Sequence, residues 1–227
     1  MQQYAIADIH GCLKTFKSLL DTIQFSTEDE LFILGDFVDR GPNSKGVIDH
    51  IWKLQKEGYQ IHCLRGNHDQ MMLNAKSNQD LYEKWLVSGG RETFDNFKVD
   101  HIHKIPEEYF SWIESLPLYL ETGKYIFVHA GLKFEKENPF EEEHAMMWQR
   151  GWYEDINYEW LGERVIVHGH TPITKAEVEN MLNNLNEKRY LDIDAGCVHK
   201  GKKEGLGDLA CLVMNEDRLI FEENRDF

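Results

Sequence analysis

Residues 31–41 read Leu-Phe-Ile-Leu-Gly-Asp-Phe-Val-Asp-Arg-Gly, so that a compact apolar run ends in two acids and an arginine. Four apolar residues stopped by a glycine are typical of a buried strand. Asp36, Asp39 and Arg40 then lie just beyond the carboxyl end of that strand. Ligand sites of α/β sheets form at such ends. This stretch therefore predicts both a buried strand and a functional site.

Two further polar clusters follow predicted strands in the same way. Residues 3–7 predict a strand that ends at residues 8–11, Asp-Ile-His-Gly, and residues 59–64 predict one that ends at residues 65–69, Arg-Gly-Asn-His-Asp. Apolar residues at helical spacing predict one helix between each pair of strands. Strand–helix–strand repeats imply parallel pairing. We therefore expect the three clusters to meet at one edge of one α/β sheet.

The second half of the chain adds two histidines at predicted strand ends. His129 follows an apolar run at residues 125–128, and His170 follows another at residues 165–167. A strand-end histidine alone is more often a satisfied polar core residue, and Asp-x-His-Gly alone is a common turn. All five clusters together, each at a strand end, favour a site. Further strands are predicted at residues 118–121, 190–193, 209–214 and 219–221, whereas residues 134–163 and 174–189 give no clear pattern.

The residue types in these clusters predict a metal centre. Asp, His and Asn offer oxygen and nitrogen ligands, which suit Mn, Fe or Zn, and the clusters lack the thiolates of a structural zinc site. Two metals held ~3.5–4 Å apart need a shared ligand and can clamp both oxygens of a displacement reaction. Asp36 is a central carboxylate and can bridge in this way.

Composition excludes several classes of protein. The 227 residues include 25 Lys+Arg and 40 Asp+Glu, a formal net charge of −15, which argues against nonspecific nucleic-acid binding. No apolar run reaches 18 residues, so neither a membrane span nor membrane binding is expected. The N-terminus has no cationic segment, and four scattered cysteines form no CxxC pair. We therefore expect a reduced, cytoplasmic protein without a signal peptide, and a monomer.

The sequence resembles the phosphoprotein phosphatase branch of the calcineurin-like metallophosphoesterases, which includes bacteriophage and bacterial serine/threonine protein phosphatases. The resemblance extends from Tyr4 to about Met214. It implies an α/β fold, a metallophosphoesterase sandwich of two mixed β-sheets flanked by helices, in a single domain over residues 1–227. It also implies two metals and direct attack by metal-bound water. The motifs that carry it, besides the strand-end clusters, are residues 65–72, 85–90, 148–150 and 192–196.

Roles carry over by motif position. The resemblance implies a first metal on Asp8, His10 and Asp36. It implies a second metal on Asp36, Asn67, His129 and His170, with Asp36 bridging. Manganese is the expected metal, with iron or zinc as alternatives.

The catalytic residues implied by the resemblance are His68, Asp39, Arg40 and Arg150. His68 would be the general acid and Asp39 would orient it, since a carboxylate partner fixes a histidine's tautomer. Arg40 and Arg150 would bind the phosphoryl group with their planar forks of donors. Asn67 and His68 complete the expected substrate contacts.

Three functions stay open at this point. Residues 38–40 and 169–172 look most like the protein phosphatases, which would act on phosphorylated proteins or small phosphoesters with broad specificity. Asp69 stands where symmetrical diadenosine tetraphosphate hydrolases often carry Asp. A non-catalytic binding scaffold is the third. An acidic run and bulky aromatics in residues 134–163 predict an acidic rim that repels a polyanionic dinucleotide. Trp148 and Trp152 could flank a substrate, but they are expected as buried aromatics.

Overall fold

Nine strands form two sheets in the computed structural model, which describes residues 1–227. The first sheet has five strands in the order β3-β2-β1-β8-β9, and the second has four in the order β4-β5-β6-β7. The strands are β1 (Gln3–Ile6), β2 (Glu30–Ile33), β3 (Gln60–Cys63), β4 (Tyr119–Glu121), β5 (Tyr125–Val128), β6 (Val165–His168), β7 (Tyr190–Asp192), β8 (Asp208–Val213) and β9 (Arg218–Glu223).

The chain also forms ten α-helices, and none of them is long and apolar enough to cross a bilayer. A kinked turn at Leu86–Gly90, in which Gly89 is not helical, joins the fourth helix to the fifth. The helices are α1 (Leu13–Thr22), α2 (Ser44–Lys56), α3 (Asn67–Ala75), α4 (Gln79–Trp85), α5 (Arg91–Phe97), α6 (Glu107–Ser115), α7 (Glu143–Trp148), α8 (Tyr158–Leu161), α9 (Lys175–Asn183) and α10 (Leu185–Lys188).

The predicted parallel start of the chain is present. β1, β2 and β3 pair in parallel, while β8 and β9 add antiparallel strands to the same sheet. In the second sheet β4 and β5 form an antiparallel hairpin, and β5, β6 and β7 are parallel. Both sheets are mixed. β1, β2 and β3 are parallel to one another, and so are β5 and β6. Their carboxyl ends therefore lie at one edge of each sheet, and these two edges are neighbours.

The core between the two sheets explains why the strands show no alternation of polar and apolar residues. Phe32 of β2 faces the second sheet and stacks on Phe127 of β5, with ring centroids 4.7 Å apart. The neighbouring Leu31 and Ile33 face the other way, against α1 and α2. A strand buried on both faces is apolar throughout, as residues 31–34 are.

Helices fill the stretches that the sequence pattern left unassigned. In residues 134–163, α7 and α8 cover the outer face of the second sheet, where Met146 and Leu161 pack on Ile166. In residues 174–189, α9 buries Val178 at the end of the core between the sheets. These helices are short, and their apolar positions are too few to give a clear helical period.

Phe127→Ala should lower the free energy of unfolding by ~3–5 kcal/mol, because it leaves a cavity between the sheets and removes the ring contact with Phe32. Urea denaturation followed by circular dichroism measures the change. Phe227→Ala is the matched control, since Phe227 is 55% exposed and its truncation should change stability by no more than about 0.5 kcal/mol. Equal losses in the two variants would contradict this description of the core.

Candidate metal centre

Five strand ends, from both sheets, deliver polar side chains to one buried point. The ends of β1, β2 and β3 contribute from the first sheet, and the ends of β5 and β6 contribute from the second. All the metal ligands implied by the resemblance are buried there, and the structure brings them together. They are Asp8, His10, Asp36, Asn67, His129 and His170.

Asp36 is the centre of this arrangement. Its Oδ2 lies 3.4 Å from His10 Nε2 and 3.6 Å from His129 Nε2. It belongs to two clusters of closely spaced ligand atoms, one with His10 and His68 and the other with Asp8 and His129. A carboxylate shared by two such clusters is placed where a ligand to two ions would lie.

Asn67 joins the two histidines of the second sheet. Its Oδ1 lies 2.8 Å from His129 Nε2 and 2.8 Å from His170 Nδ1. Bonds of ~2.0–2.2 Å to one metal, set at right angles, place neighbouring ligand atoms about 3 Å apart. The observed spacing therefore fits three ligands of one ion.

The protons on His129 provide a further test of the fit. Its Nδ1 lies 2.8 Å from the carbonyl oxygen of Leu34 and must donate a proton to it. Burial lowers the pKa of His129, so the ring is neutral and Nε2 carries a lone pair. That lone pair faces the Oδ1 of Asn67, and two acceptors meet with no proton between them. A cation at this point would satisfy both.

Charge at the site also fits bound cations. Burial and the nearby Asp194 raise the pKa of Asp8 well above its usual value. Burial raises the pKa of Asp194 itself to about 7. Carboxyl groups packed this closely repel one another when ionised, and a divalent cation relieves that repulsion.

Backbone strain is concentrated at the site. Only ten non-glycine residues of the chain have a positive φ, and six of them are site residues named above: Asp8, His10, Asp36, Asp39, Arg40 and His170. The left-handed conformation costs about 1–2 kcal/mol for such a residue. Strain of this kind persists only where the surrounding structure imposes it, and it clusters at functional sites. The sequence gives no direct signal of it beyond the adjacent glycines.

Asp69 joins the loop that follows β2 to the loop that follows β3. Its carboxylate accepts hydrogen bonds from the backbone N–H groups of Asp36 (2.8 Å), Phe37 (3.1 Å) and Gly66 (2.9 Å). A Cβ at Gly66 would lie 2.2 Å from Asp36 Oδ1, so only glycine allows this approach. Asp69 was expected only as a residue that distinguishes substrate classes, and its structural role was not predicted. Only the packing of two loops reveals that role.

His68 is held by a buried carboxylate. Its Nδ1 lies 2.8 Å from Asp39 Oδ2, and Asp39 also accepts hydrogen bonds from the indole Nε1 of Trp85 (2.9 Å) and the hydroxyl of Thr93 (2.8 Å). Burial raises the pKa of Asp39. This contact leaves Nε2 as the only free nitrogen of His68. The predicted pairing of Asp39 with His68 is present, whereas the general-acid role stays a prediction.

Two arginines reach the candidate ligands from opposite sides. Arg40 Nη1 lies 2.7 Å from His10 Nε2, and Arg150 Nε lies 3.1 Å from His170 Nε2. Neither arginine forms an ion pair with a carboxylate of the chain. Both guanidinium groups therefore remain available for phosphoryl oxygens.

The kinked turn at Leu86–Gly90 positions Arg40. The carbonyl oxygen of Gly89 accepts a hydrogen bond from the backbone N–H of Arg40 at 3.1 Å. Gly89 has a φ of +117°, and a Cβ there would lie 2.7 Å from Arg40 Cγ. The glycine is therefore required for the turn to approach Arg40 this closely.

The two tryptophans predicted to be buried differ from each other. Trp152 is buried and donates a hydrogen bond from Nε1 to the carbonyl oxygen of Ala130. Trp148 is only half-buried, and its ring centroid lies 6.4 Å from that of His170. The prediction is wrong for Trp148, because α7 ends there at the rim of the metal centre.

Manganese should stabilise the chelator-treated protein. A ligand at 100 times its Kd raises the free energy of unfolding by about 2.7 kcal/mol, which raises Tm by roughly 5–10 °C for a chain of this size. Asp36→Asn should remove most of that rise, because Asp36 belongs to both ligand clusters. Differential scanning fluorimetry with and without Mn²⁺ measures it. Asp21→Asn, at an exposed position on α1, is the control and should respond like the parent. A full response of Asp36→Asn would contradict the shared-ligand assignment.

Comparison with known proteins gives relatives of two kinds. The chain is 27% identical over 236 residues to the asymmetrical bis(5'-nucleosyl)-tetraphosphatase PrpE of Bacillus cereus, and the match covers 91% of this chain and 90% of that protein. It is 31% identical over 135 residues to a symmetrical bis(5'-nucleosyl)-tetraphosphatase of Nitrosospira multiformis, covering 58% of this chain. That match spans only 44% of the Nitrosospira protein.

A solved structure and a family profile complete the comparison. The fold is similar to that of a serine/threonine phosphatase from Saccharomyces cerevisiae, with a TM-score of 0.65 at 17% identity over 98% of this chain and 79% of that one. The profile described as calcineurin-like phosphoesterase matches residues 1–213. Fold, buried histidine–aspartate clusters and sequence match agree. The chain therefore belongs to the calcineurin-like metallophosphoesterases, a family of hydrolases that use a dinuclear divalent metal centre.

Proposed function

We propose that this metallophosphoesterase hydrolyses dinucleoside tetraphosphates, with two manganese ions as its cofactor. The observation that carries the proposal is a basic cavity of about 550 Å³ beside the metal centre. It is lined by Arg40, Arg91, Lys202 and His199, against a single acid, Glu92.

The charges of the basic cavity favour a polyanionic substrate. Arg40, Arg91 and Lys202 form no ion pair with any carboxylate, although acids outnumber bases by 15 in this chain. A tetraphosphate bridge carries more negative charge than a phosphoserine, so it gains more from three unpaired cations. None of residues 134–163 lines this cavity, so the acidic rim expected from those residues stays a prediction.

The relatives support the same substrate class. The relative that matches nearly the whole chain is named a bis(5'-nucleosyl)-tetraphosphatase. Serine/threonine phosphoprotein hydrolysis, with its phosphopeptide substrates, is the second candidate. Residues 38–40 and 169–172 favour it, because their motifs look like those of protein phosphatases.

The chain's own residues have the following roles in the proposed reaction. Asp8, His10, Asp36, Asn67, His129 and His170 would hold the two ions. When bound, the ions supply Lewis-acid stabilisation of the phosphoryl charge and an activated water. Arg40 and Arg150 bind the equatorial phosphoryl oxygens. In the hydrolysis a water oxygen would bond to phosphorus and release its proton to solvent, while the bridging P–O bond breaks. His68 would give its Nε2 proton to the departing oxygen, with Asp39 holding Nδ1.

A comparison of kcat/KM for diadenosine tetraphosphate and for a phosphoserine peptide tests the substrate class. With the same metal and salt, kcat/KM for the dinucleotide should be at least tenfold higher, a difference of about 1.4 kcal/mol in transition-state binding. Chromatography of the products also separates symmetrical cleavage, which yields two nucleoside diphosphates, from asymmetrical cleavage, which yields a mono- and a triphosphate. A tenfold preference for the peptide would return the assignment to the protein phosphatases.

His68→Asn should lower kcat by ~10²–10⁴-fold on alkyl phosphates, whose leaving oxygen needs a proton. The loss should be smaller on aryl phosphates, which are better leaving groups. Steady-state kinetics on both substrates measures the difference, with metal content determined on the same samples. His62→Asn, outside the site on β3, is the control. Equal losses on the two substrates, or loss of metal, would contradict the general-acid role.

A further inference from the structure

We propose that a second, apolar cavity next to the metal centre binds a nucleobase of the substrate. The cavity has a volume of about 420 Å³ and lies between α3, α4 and the end of α7. The inference rests on the proposed function and extends it, because it assigns the part of the site that separates nucleotides from other phosphoesters.

The lining of the cavity suits a flat heteroaromatic ring. Its apolar walls are Met71, Leu81, Val87 and Trp148, and Lys84 is among the polar groups at its edge. Small-molecule sites combine apolar and aromatic walls with a few polar groups that set orientation. An aromatic side chain offers a face on which any base can stack. The volume lies within the range of ligand sites, ~300–1,000 Å³.

The apolar side chains that line the cavity are partly exposed, so they offer a surface that a ligand could cover. Val87 is 83% exposed, more than any other large apolar side chain that is exposed in this chain. Trp148 is half-buried. Both lie at the mouth of the cavity, beside a lysine, Lys84, that forms no ion pair. An apolar wall with an unpaired cation at its edge matches a base that carries a phosphate.

The cavity adjoins the basic cavity and lies close to the candidate metal ligands. Val87 and Ser88 line both cavities. The ring of Trp148 lies 6.4 Å from that of His170, and Arg150 follows Trp148 by two residues. A nucleotide with its phosphate at the metal centre can therefore place its base on Trp148 and further phosphates along Arg91 and Lys202. A phosphoserine has no ring to fill the apolar side.

Competition between two matched ligands tests the assignment. AMP and ribose 5-phosphate carry the same phosphate, and only AMP has a base. Each is used as an inhibitor of p-nitrophenyl phosphate turnover by the Mn²⁺-loaded protein, with initial rates analysed using each variant's own KM. We expect the Ki of AMP to be at least ~10-fold lower, the scale of a stacked base.

Variants then test whether the apolar cavity causes the preference for AMP over ribose 5-phosphate. Trp148→Ala and Leu81→Asn should each bring the two Ki values close together, whereas Trp148→Phe should keep most of the difference. Tyr158→Ala removes an exposed aromatic ring on α8 that does not line the cavity, and it should leave the ratio unchanged. Leu81→Asn is included because it leaves Trp148 and its contact with His170 intact.

The outcomes separate this inference from the proposed function. Equal Ki values in the parent protein, or a preference that survives both Trp148→Ala and Leu81→Asn, overturn the nucleobase site even if dinucleotides are hydrolysed. A preference for AMP that depends on Trp148 and Leu81 supports the site even if diadenosine tetraphosphate is not hydrolysed, and the proposed function alone then fails.

Discussion

The structure depends on one buried carboxylate, that of Asp36, which lies between histidines from two different sheets. His10 follows β1 of the first sheet and His129 follows β5 of the second, and their Nε2 atoms lie 3.4 and 3.6 Å from the same oxygen. A buried charge is costly unless opposite charges or hydrogen bonds surround it. The two sheets must therefore pack with these five strand ends facing one another, and the stacked rings of Phe32 and Phe127 hold them there.

The strained loops at those ends are held by groups that touch no substrate. Asp69 accepts three backbone N–H groups, Trp85 and Thr93 fix Asp39, and Gly89 holds the backbone of Arg40. All of these contacts except the bond between Gly66 and Asp69 join residues distant in sequence. Left-handed backbone at six site positions persists because these contacts and the core behind them outweigh its cost.

The proposed function separates chemistry from selectivity. In it, the candidate metal ligands and the two arginines bind a phosphoryl group, which all phosphoesters share, so they provide little discrimination among substrates. The basic and apolar cavities share residues of the turn at Leu86–Gly90 and present different chemistry. In the proposal, one cavity takes the extended polyphosphate and the other takes a base.

The sequence by itself determined the strand–helix–strand start, the strands at residues 118–121 and 125–128 and the polar clusters at strand ends, because apolar runs and the polar residues that end them are local signals. Through family resemblance it also predicted the six candidate ligands and the pairing of His68 with Asp39. The short helices of residues 134–163 and 174–189, the structural role of Asp69, the exposure of Trp148 and the basic cavity beside Arg40 were decided only by the tertiary structure. Each of these depends on which residues from distant segments meet, and a net charge or a local period carries no information about that meeting.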